Sequence, residues 1–417
     1  MNKILLIIGS VWPEPKSSAA GSRMMQLIWY FKSRNYTITF GSSSVKNENA
    51  FDLDTVGVGQ VTIALNHSSF DEFIIELNPK IVIFDRFMIE EQFGWRVAQN
   101  CPNALRILDT EDLHSLRRGR LQALKDGKPI DKTYLFNDIA KREIASIYRC
   151  DLSLIISEAE MEILKQHFKV DLSLLLYIPF MLEAITDDAI INLPKFEARQ
   201  HFITIGNFLH DPNYDSVLYL KETIWPLIRK QLPSAELHNY GAYVSQKAFQ
   251  LHNEKEGFLI KGFAENVNTV MQQAKVCLAP LRFGAGLKGK LIDAMSNGTP
   301  CIMSNIATEG MFGTLEPNGC ISDNSEEFAK KAVELYTNES VWKDKQKIGF
   351  DLIQKRFSKV DFYHKLDTAI EETIQQVNNL RLNNFTAQML WHHTLSSTKY
   401  MSKWIEQKNQ KTSNYEG

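Results

Sequence analysis

Residues 275–304 read KVCLAPLRFGAGLKGKLIDAMSNGTPCIMS, two short apolar runs separated by a glycine-rich loop and a helix-length segment. The runs at 275–280 and 299–304 predict β-strands, and residues 288–297 predict a short helix. Two strands that are apolar on both faces and joined through a helix are typical of a parallel sheet with helices on both sides. This stretch therefore predicts an α/β fold.

The same alternation of short apolar strands and amphipathic helices continues along most of the chain. Further strands are predicted at 3–9, 37–42, 80–85, 105–110, 152–157, 201–206, 235–241 and 258–263, and longer helices at 132–148 and 213–231. We expect two doubly wound, Rossmann-like domains that face a common cleft. The predicted organisation is an N-terminal domain at 1–178, a linker at 179–200, a C-terminal domain at 201–370 and a helical C-terminal segment at 371–417.

The composition argues against several other classes of protein. The chain has 417 residues and a formal net charge of −2, which disfavours a general nucleic-acid-binding protein. Its five cysteines are scattered without CxxC spacing, so a reducing, cytoplasmic compartment fits better than a disulfide framework or a zinc site. The first apolar run is short enough to be a strand rather than a signal peptide, and no run approaches the ~20 apolar residues that span a bilayer.

The loop that follows residues 275–280 combines bare backbone with positive charge. It supplies three glycines and three cations, namely Gly284, Gly286, Gly289, Arg282, Lys288 and Lys290. Glycines let a ligand approach the main chain, and a helix N-terminus favours an anion. A diphosphate is the natural ligand for such a site, and Asp293, one turn later, would accept hydrogen bonds from sugar hydroxyls. A tight turn with solvated lysines explains the same residues equally well.

Several ordered motifs resemble the GT-B glycosyltransferases, in particular the large retaining group often called family 4 or group 1. The similar segments are GNFLHDPNYDSVLYLKETIWPLIRKQLPSAELHNYG at 206–241, KGF at 261–263 and PLRFGAGLKGKLIDAMSNGTPCIMSNIATEG at 280–310. DTEDLHSLRRGR at 109–120 and SEAE at 157–160 resemble parts of the acceptor-binding half of that family. The resemblance implies two Rossmann-like domains, a nucleotide sugar held mainly by the second domain, and a final helix that packs back on the first.

The resemblance also implies roles for individual residues. Lys288 and Lys290 would neutralise the donor diphosphate, and Asp293 would hold the ribose. The other implied donor contacts are Asn207 on the diphosphate side, Gly262 and Phe263 beside the base, Glu309 near the sugar, and Gly21 of the first domain near the sugar and phosphate.

The sequence departs from the pattern of the family at two positions. The first of two glutamates that many members carry is replaced by Ala285 or Gly286, and the second is Asp293. An arginine that often follows the first strand of the second domain is Asn207. Charge neutralisation would therefore depend more heavily on Arg282 and the two lysines.

Sugar transfer places growing negative charge on the leaving diphosphate, so preplaced cations and helix N–H groups can act without a metal. We predict no metal and no other cofactor, and we expect the DxD pattern at 52–54 to be solvated. His114 is the side-chain candidate for a base. The adjacent cluster Arg117, Arg118 and Arg120 is either a solvated helix face, a contact for an acceptor phosphate, or a contact for an anionic membrane surface.

These observations predict a metal-independent, retaining glycosyltransferase that uses a nucleotide-diphosphate sugar and a glycan, lipid-linked or other glycoconjugate acceptor. Polysaccharide biosynthesis is the expected setting, in the cytoplasm or peripherally at the inner face of the membrane, with no nucleic-acid partner. Two alternatives stay open at this point. One is a sugar-nucleotide epimerase on the same fold, and the other is a non-catalytic subunit that binds the nucleotide beside an active partner.

Overall fold

The structure, a computed structural model, describes residues 3–413 and contains two parallel β-sheets in that range. The first sheet has the strand order β3-β2-β1-β4-β5-β6-β7. Its strands are β1 Ile4–Gly9, β2 Thr37–Ser42, β3 Gly59–Thr62, β4 Ile81–Asp85, β5 Leu105–Asp109, β6 Leu152–Ile155 and β7 Leu175–Tyr177. The apolar run at the N-terminus is the strand next to the point where the strand order reverses, and β4, β5 and β6 are buried along their whole length.

The second sheet repeats this arrangement with the strand order β10-β9-β8-β11-β12-β13. Its strands are β8 Gln200–Ile205, β9 Leu237–Tyr240, β10 Phe258–Gly262, β11 Ala274–Ala279, β12 Cys301–Met303 and β13 Gly319–Ile321. We call residues 3–178, which carry the first sheet, the first half, and residues 199–358, which carry the second sheet, the second half. The predicted fold class, two doubly wound α/β units, is confirmed.

Helices cover both faces of each sheet. Their bounds are α1 Ala19–Ser33, α2 Ser69–Leu77, α3 Phe87–Asn100, α4 His114–Lys125, α5 Lys132–Leu135, α6 Asp138–Arg149, α7 Glu158–Gln166, α8 Asp187–Ile191, α9 Asp211–Tyr219, α10 Trp225–Gln231, α11 Gln246–Phe249, α12 Val267–Gln273, α13 Gly289–Ser296, α14 Asn305–Thr308, α15 Ser325–Thr337, α16 Glu339–Arg356, α17 Lys359–Asn383 and α18 Phe385–Ser413. In the described residues, no helix is long and apolar enough to cross a bilayer.

Two predicted helices are interrupted in the structure. The helix predicted at 132–148 is broken into α5 and α6, because the Asn137 side chain accepts a hydrogen bond from the Ala140 N–H at 3.1 Å and starts a new helix. The helix predicted at 213–231 begins earlier, at Asp211, and contains a π-helical turn at Leu220–Ile224 between α9 and α10. Neither change alters the layer that each helix forms on its sheet.

The C-terminal helices return to the first half. Leu366 and Ile370 of α17 are buried in the same apolar cluster as β1 and α1. Arg381, near the end of α17, donates to the Asp151 carboxylate at 2.7 Å, and α18 then packs against α3 and α6. The last four residues of the predicted C-terminal segment, 414–417, lie outside the described residues.

Candidate active site

The two halves meet where the carboxyl ends of their strands face each other, and we call this region the cleft. In each sheet the strand order reverses at one point, between β1 and β4 in the first and between β8 and β11 in the second. Ligands of doubly wound folds bind outside the carboxyl ends of the strands at such reversal points. The glycine-rich loop at 282–289 follows β11 and therefore lies in the cleft.

The first half holds this loop through two hydrogen bonds. The Gly286 N–H donates to Glu160 Oε1 at 2.8 Å, and Arg120 donates to the Gly284 carbonyl at 2.7 Å. Gly286 has a φ of +63°, and a Cβ atom there would lie 2.9 Å from the Cβ of Asp112. Both the backbone angle and the close approach of the first half therefore require glycine at this position.

Lys288 and Lys290 stand at the start of α13, beside this loop. Lys288 Nζ donates to the Gly286 carbonyl at 2.6 Å, whereas no residue in the described range forms a hydrogen bond or ion pair with Lys290 Nζ. Burial is the main reason that the pKa of each lysine is lowered to about 8. A second cause for Lys290 is the charge of Lys288. Two nearly buried ammonium groups at a helix N-terminus form a site for an anion.

Asp293 lies one turn further along α13 and also has no hydrogen-bond or ion-pair partner within the part of the chain that the structure describes. It is half-buried, and burial raises the pKa of its carboxyl to about 7. Lys290 and Asp293 share the helix without pairing, so both side chains keep their polar groups available for a ligand. This arrangement suits a ligand that carries an anionic group next to hydroxyls.

Arg282 is not brought together with the lysines. Its Nε donates to Asp215 Oδ2 at 2.9 Å, and its guanidinium lies 5.0 Å from the centre of the Tyr219 ring. This ion pair holds the side chain against α9, more than a third exposed to solvent. Arg282 is therefore already paired, whereas Lys288 and Lys290 stand at the start of α13.

Glu309 is linked to the glycine-rich loop by Arg120 of the first half. Arg120 Nη2 donates to Glu309 Oε1 at 2.6 Å, and the charge of Glu309 raises the pKa of Lys288 against the effect of burial. Arg120 therefore bridges the glycine-rich loop and Glu309. The structure thus brings Glu309 close enough to Lys288 for its charge to act on that lysine.

The other predicted donor contacts lie on three different elements. Asn207 follows β8 and uses its Oδ1 to accept from the Leu209 N–H at 2.8 Å, which leaves its amide donors for other partners. Gly21 lies in the first turn of α1, where its N–H donates to Ser18 Oγ at 3.0 Å. Gly262 ends β10, two strands away from β8, and the exposed Phe263 follows it.

His114 begins α4 on the first-half side of the cleft. Its Nε2 lies 3.4 Å from Asp112 Oδ1, and its ring packs edge-on against Phe87. Burial is the largest cause of a pKa lowered to about 4, although the Asp112 charge acts in the opposite direction. The imidazole is therefore neutral near pH 7, and it can accept a proton only as a weak base.

Three charged or titratable residues of the cleft were not among the predicted site residues. Glu160 uses one oxygen to accept from Gly286 and from the Leu113 N–H at 3.0 Å, while its other oxygen is buried without a partner in the described chain. Asp112 forms an ion pair with Arg117. His210 is exposed, yet desolvation and the charges of Arg117 and the two lysines lower its pKa to about 4.

A sequence signal for these three residues exists, because each follows a strand at its carboxyl end. Asp112 comes after β5, Glu160 after β6 and His210 after β8. Residues in those positions of a doubly wound fold face the ligand crevice. By contrast, Asp52 and Asp54 are exposed in a surface turn where Asp52 accepts from the Asp54 N–H. Among the side chains that the structure describes, no cluster of three metal-ligating groups forms.

We expect binding of a nucleoside diphosphate to take up protons at pH 8. At that pH Lys288 and Lys290 are partly deprotonated in the free protein. A bound diphosphate favours the charged ammonium and so raises both pKa values. Calorimetric titration with UDP in two buffers of different ionisation enthalpy measures the uptake, which should shrink at about pH 6, where both lysines are already protonated. Affinity should fall as the pH rises above 8. Equal heats in both buffers at pH 8 would contradict this assignment.

The second half is similar in sequence to a known enzyme family. Residues 199–338 match the family described as glycosyl transferases group 1. No curated protein sequence matches the chain. The match confirms the resemblance of the second half to glycosyltransferases.

Similar solved structures have the same two-domain architecture. One is S. aureus TarM, solved with UDP and α-GlcNAc-glycerol, with a TM-score of 0.57 and 18% identity over 72% of this chain; the chain spans only 57% of TarM. Another is sucrose-phosphate synthase from Thermosynechococcus elongatus, with a TM-score of 0.66 and 16% identity over 89% of this chain and 99% of that one. A third is Anabaena HepE with UDP-glucose, with a TM-score of 0.66 and 10% identity over the same shares. These similarities confirm the GT-B fold.

Proposed function

We propose that the chain is a retaining glycosyltransferase of the family 4 type that transfers a hexosyl unit from a nucleotide-diphosphate sugar without a bound metal. The observation that carries this proposal is Lys290, a nearly buried ammonium group without a partner in the described residues, beside Lys288 at the N-terminus of α13. A buried cation without a counter-charge is costly, so its presence in a cleft favours an anionic ligand as the counter-charge. The match of residues 199–338 to group 1 glycosyltransferases supports the same proposal.

The proposed reaction breaks the bond between the anomeric carbon and the diphosphate oxygen, and the electron pair leaves with the diphosphate. Lys288, Lys290 and the first-turn amides of α13 stabilise this charge more in the transition state than in the ground state. The acceptor hydroxyl bonds to the anomeric carbon, and its proton passes to the leaving phosphate oxygen or to neutral His114. Retention of configuration is inferred from the resemblance to the family.

The donor is proposed to lie across the second half, with the ribose on Asp293 and the base near Gly262 and Phe263. Because TarM and HepE were solved with UDP, uridine nucleotides are the first donors to test. Glu309 and the bridging Arg120 stand where the transferred sugar would be. The acceptor, a glycan or a lipid-linked glycoconjugate, would enter from the first half.

The proposed setting is polysaccharide assembly in the cytoplasm, with peripheral contact at the inner face of the membrane. The arginines at 117–120 offer little support for such contact, since Arg117 pairs with Asp112 and Arg120 with Glu309, which leaves Arg118 as the exposed one. The start of α18 offers more, because Phe385 and Met389 are exposed apolar residues one turn apart.

The experiment that tests the function measures nucleotide binding and then product formation. We expect one nucleoside diphosphate among UDP, GDP, ADP and dTDP to raise the melting temperature, because a ligand that binds only the folded state stabilises it. A sugar donor built on that nucleoside diphosphate, supplied with an acceptor glycan mixture, should yield free nucleoside diphosphate and a glycosylated product. The exposed Lys347 provides a matched control, Lys347→Met, which should leave both readouts unchanged.

Other outcomes select the alternatives. An isomerised nucleotide sugar formed without an acceptor would identify an epimerase. Selective nucleotide binding without turnover on any donor would identify a non-catalytic subunit. Stabilisation by NAD alone, with none by the diphosphates, would refute the glycosyltransferase proposal.

A further inference from the structure

A cavity of 440 Å³ lies at the opposite end of the first sheet from the cleft. It is lined by α3, the end of α6, the amino ends of β5 and β6, and the junction between α17 and α18. Strand β5 separates the two regions, because Arg106 near its amino end lines the cavity and its carboxyl end lies at the cleft. The volume falls within the ~300–1,000 Å³ typical of small-molecule sites.

Most of the cavity wall is apolar and aromatic. Trp95 comes from α3, Tyr148 from α6, and Ala387 and Trp391 from the first turns of α18. Large flat side chains from three different helices give a ligand an extensive apolar contact surface. The wall therefore favours a ligand with a hydrocarbon or aromatic body.

The wall also carries charged residues, and Arg106 differs from the others in its partners. Its side chain is nine-tenths buried, and within the described residues its guanidinium makes no hydrogen bond. Its nearest counter-charge is Asp151 at 3.6 Å, but that carboxylate already accepts from the Arg381 side chain at 2.7 Å and from the Arg106 N–H at 2.8 Å. The guanidinium instead lies 5.1 Å from the centre of the Trp391 ring. A buried guanidinium that stacks on an aromatic ring keeps its planar edge available for an acceptor.

Burial of a donor without a partner is unfavourable, and native proteins usually provide a partner. The guanidinium of Arg106 therefore calls for an acceptor group on the ligand.

The charges around the cavity indicate that this acceptor is anionic. Three arginines, Arg106, Arg149 and Arg381, lie in its wall, against the carboxylates of Asp151 and of Glu90, which pairs with Arg149. One positive charge is left over, and it is the one without hydrogen bonds. A carboxylate matches the planar fork of a guanidinium in geometry as well as in charge.

We propose that this cavity binds a small carboxylate with an apolar body, with its carboxylate on Arg106 and its body against Tyr148, Ala387 and Trp391. The site is separate from the cleft and does not depend on the proposed glycosyl transfer. The carboxylate would supply the acceptor that the Arg106 guanidinium lacks, and the apolar body would cover aromatic surface that the fold leaves open.

Titration of the full chain with decanoate, below its micelle-forming concentration, tests this proposal by calorimetry and by tryptophan fluorescence. Decanoate should bind with saturation, and decanol at least about tenfold more weakly, since it cannot form a charged hydrogen bond with Arg106. Arg106→Met should lose at least about tenfold in decanoate affinity. Ala387→Phe, which fills the cavity without changing a charge, should also lose binding. This variant tests the site if Arg106→Met does not fold.

Arg142→Met is the matched control, because Arg142 lies on α6 but pairs with Glu91 at the surface. It should bind decanoate like the unaltered protein. The response of the melting temperature to nucleoside diphosphates should be the same in all three variants, which separates this site from the cleft. Absence of saturable binding, equal affinity for decanol, or unchanged binding in both cavity variants would overturn the proposal.

Discussion

Replacing Lys290 with methionine should lower kcat/KM for sugar transfer by about 100- to 1,000-fold, the loss seen when one preorganised donor to a developing oxyanion is removed. Lys290 is the nearly buried cation of the cleft that lacks a partner in the described range, so no neighbouring side chain replaces its charge. If the lysine acts on the leaving diphosphate, most of the loss should fall on kcat rather than on KM. Steady-state kinetics with the identified nucleotide sugar measures this division, with Lys347→Met as the control.

The same substitution should stabilise the protein in the absence of ligand. Burial lowers the pKa of Lys290 to about 8, so the folded state resists its protonation and loses stability as the pH falls from about 10.4, the usual pKa of a lysine, to about 8. Lys290→Met removes this cost, and its melting temperature near pH 7 should exceed that of the unaltered protein. The difference should shrink as the pH rises from about 8 and vanish above about pH 10.4, where the lysine is neutral in both states. If Lys290 were structural, Lys290→Met should instead lose stability. Its activity per molecule of folded protein should then be unchanged.

The sequence pattern predicts the glycine-rich loop and its lysines because all the required information is local. Strand β11, the loop and α13 are contiguous, and burial follows from the apolar runs on either side. Arg282 is also cationic and has the same neighbourhood in sequence, yet it pairs with Asp215 on α9. Which cation turns toward the cleft depends on a helix that comes about seventy residues earlier, so spacing alone cannot separate Arg282 from Lys290.

The contacts made by Glu160 show a second limit of prediction from the sequence. This carboxylate binds the Leu113 N–H of the first half and the Gly286 N–H of the second, so its role exists only once the halves are docked. Its position after a strand end marks it as a crevice residue, but the partner across the cleft is a backbone amide that no residue type encodes. Burial raises the pKa of Glu160 to about 7, an effect that also arises only from docking.

The strands that the sequence pattern misses are the short ones near the sheet edges. β3, β7 and β13 have three or four residues each and occupy the outer positions of their sheets. A strand at an edge pairs on one side only and buries less apolar surface, so it does not need a continuous apolar run. The central strands β1, β4, β8 and β11 are buried along most of their length, and their composition predicts them well.

The largest effect on stability is expected from the buried ion pair between Arg23 and Asp109, beneath the first-half side of the cleft. Both side chains are fully buried, Arg23 Nη2 lies 3.0 Å from Asp109 Oδ1, and Arg23 also donates to the Ile178 carbonyl at 2.6 Å. Arg23→Met would leave the carboxylate buried without a counter-charge, which costs about 3–5 kcal/mol. The partly exposed pair of Arg34 with Asp367 provides the control, since Arg34→Met should cost only about 1 kcal/mol.

Hydrogen exchange of the β1 and β5 amides in the full chain measures this loss within the first half, even where the two halves unfold in separate steps. Exchange in Arg23→Met should be faster by more than about 100-fold, the equivalent of 3 kcal/mol.

Burial already raises the pKa of Asp109, and Arg23 opposes that effect. Without Arg23 the carboxyl should protonate more readily in the folded state, so the variant should recover part of its deficit as the pH is lowered toward the usual carboxyl range of about 4. Adding Asp109→Asn to Arg23→Met should likewise reduce the loss, because no uncompensated charge remains. A deficit that is no larger than that of Arg34→Met, or that does not change with pH, would mean that the pair does not stabilise this end of the sheet.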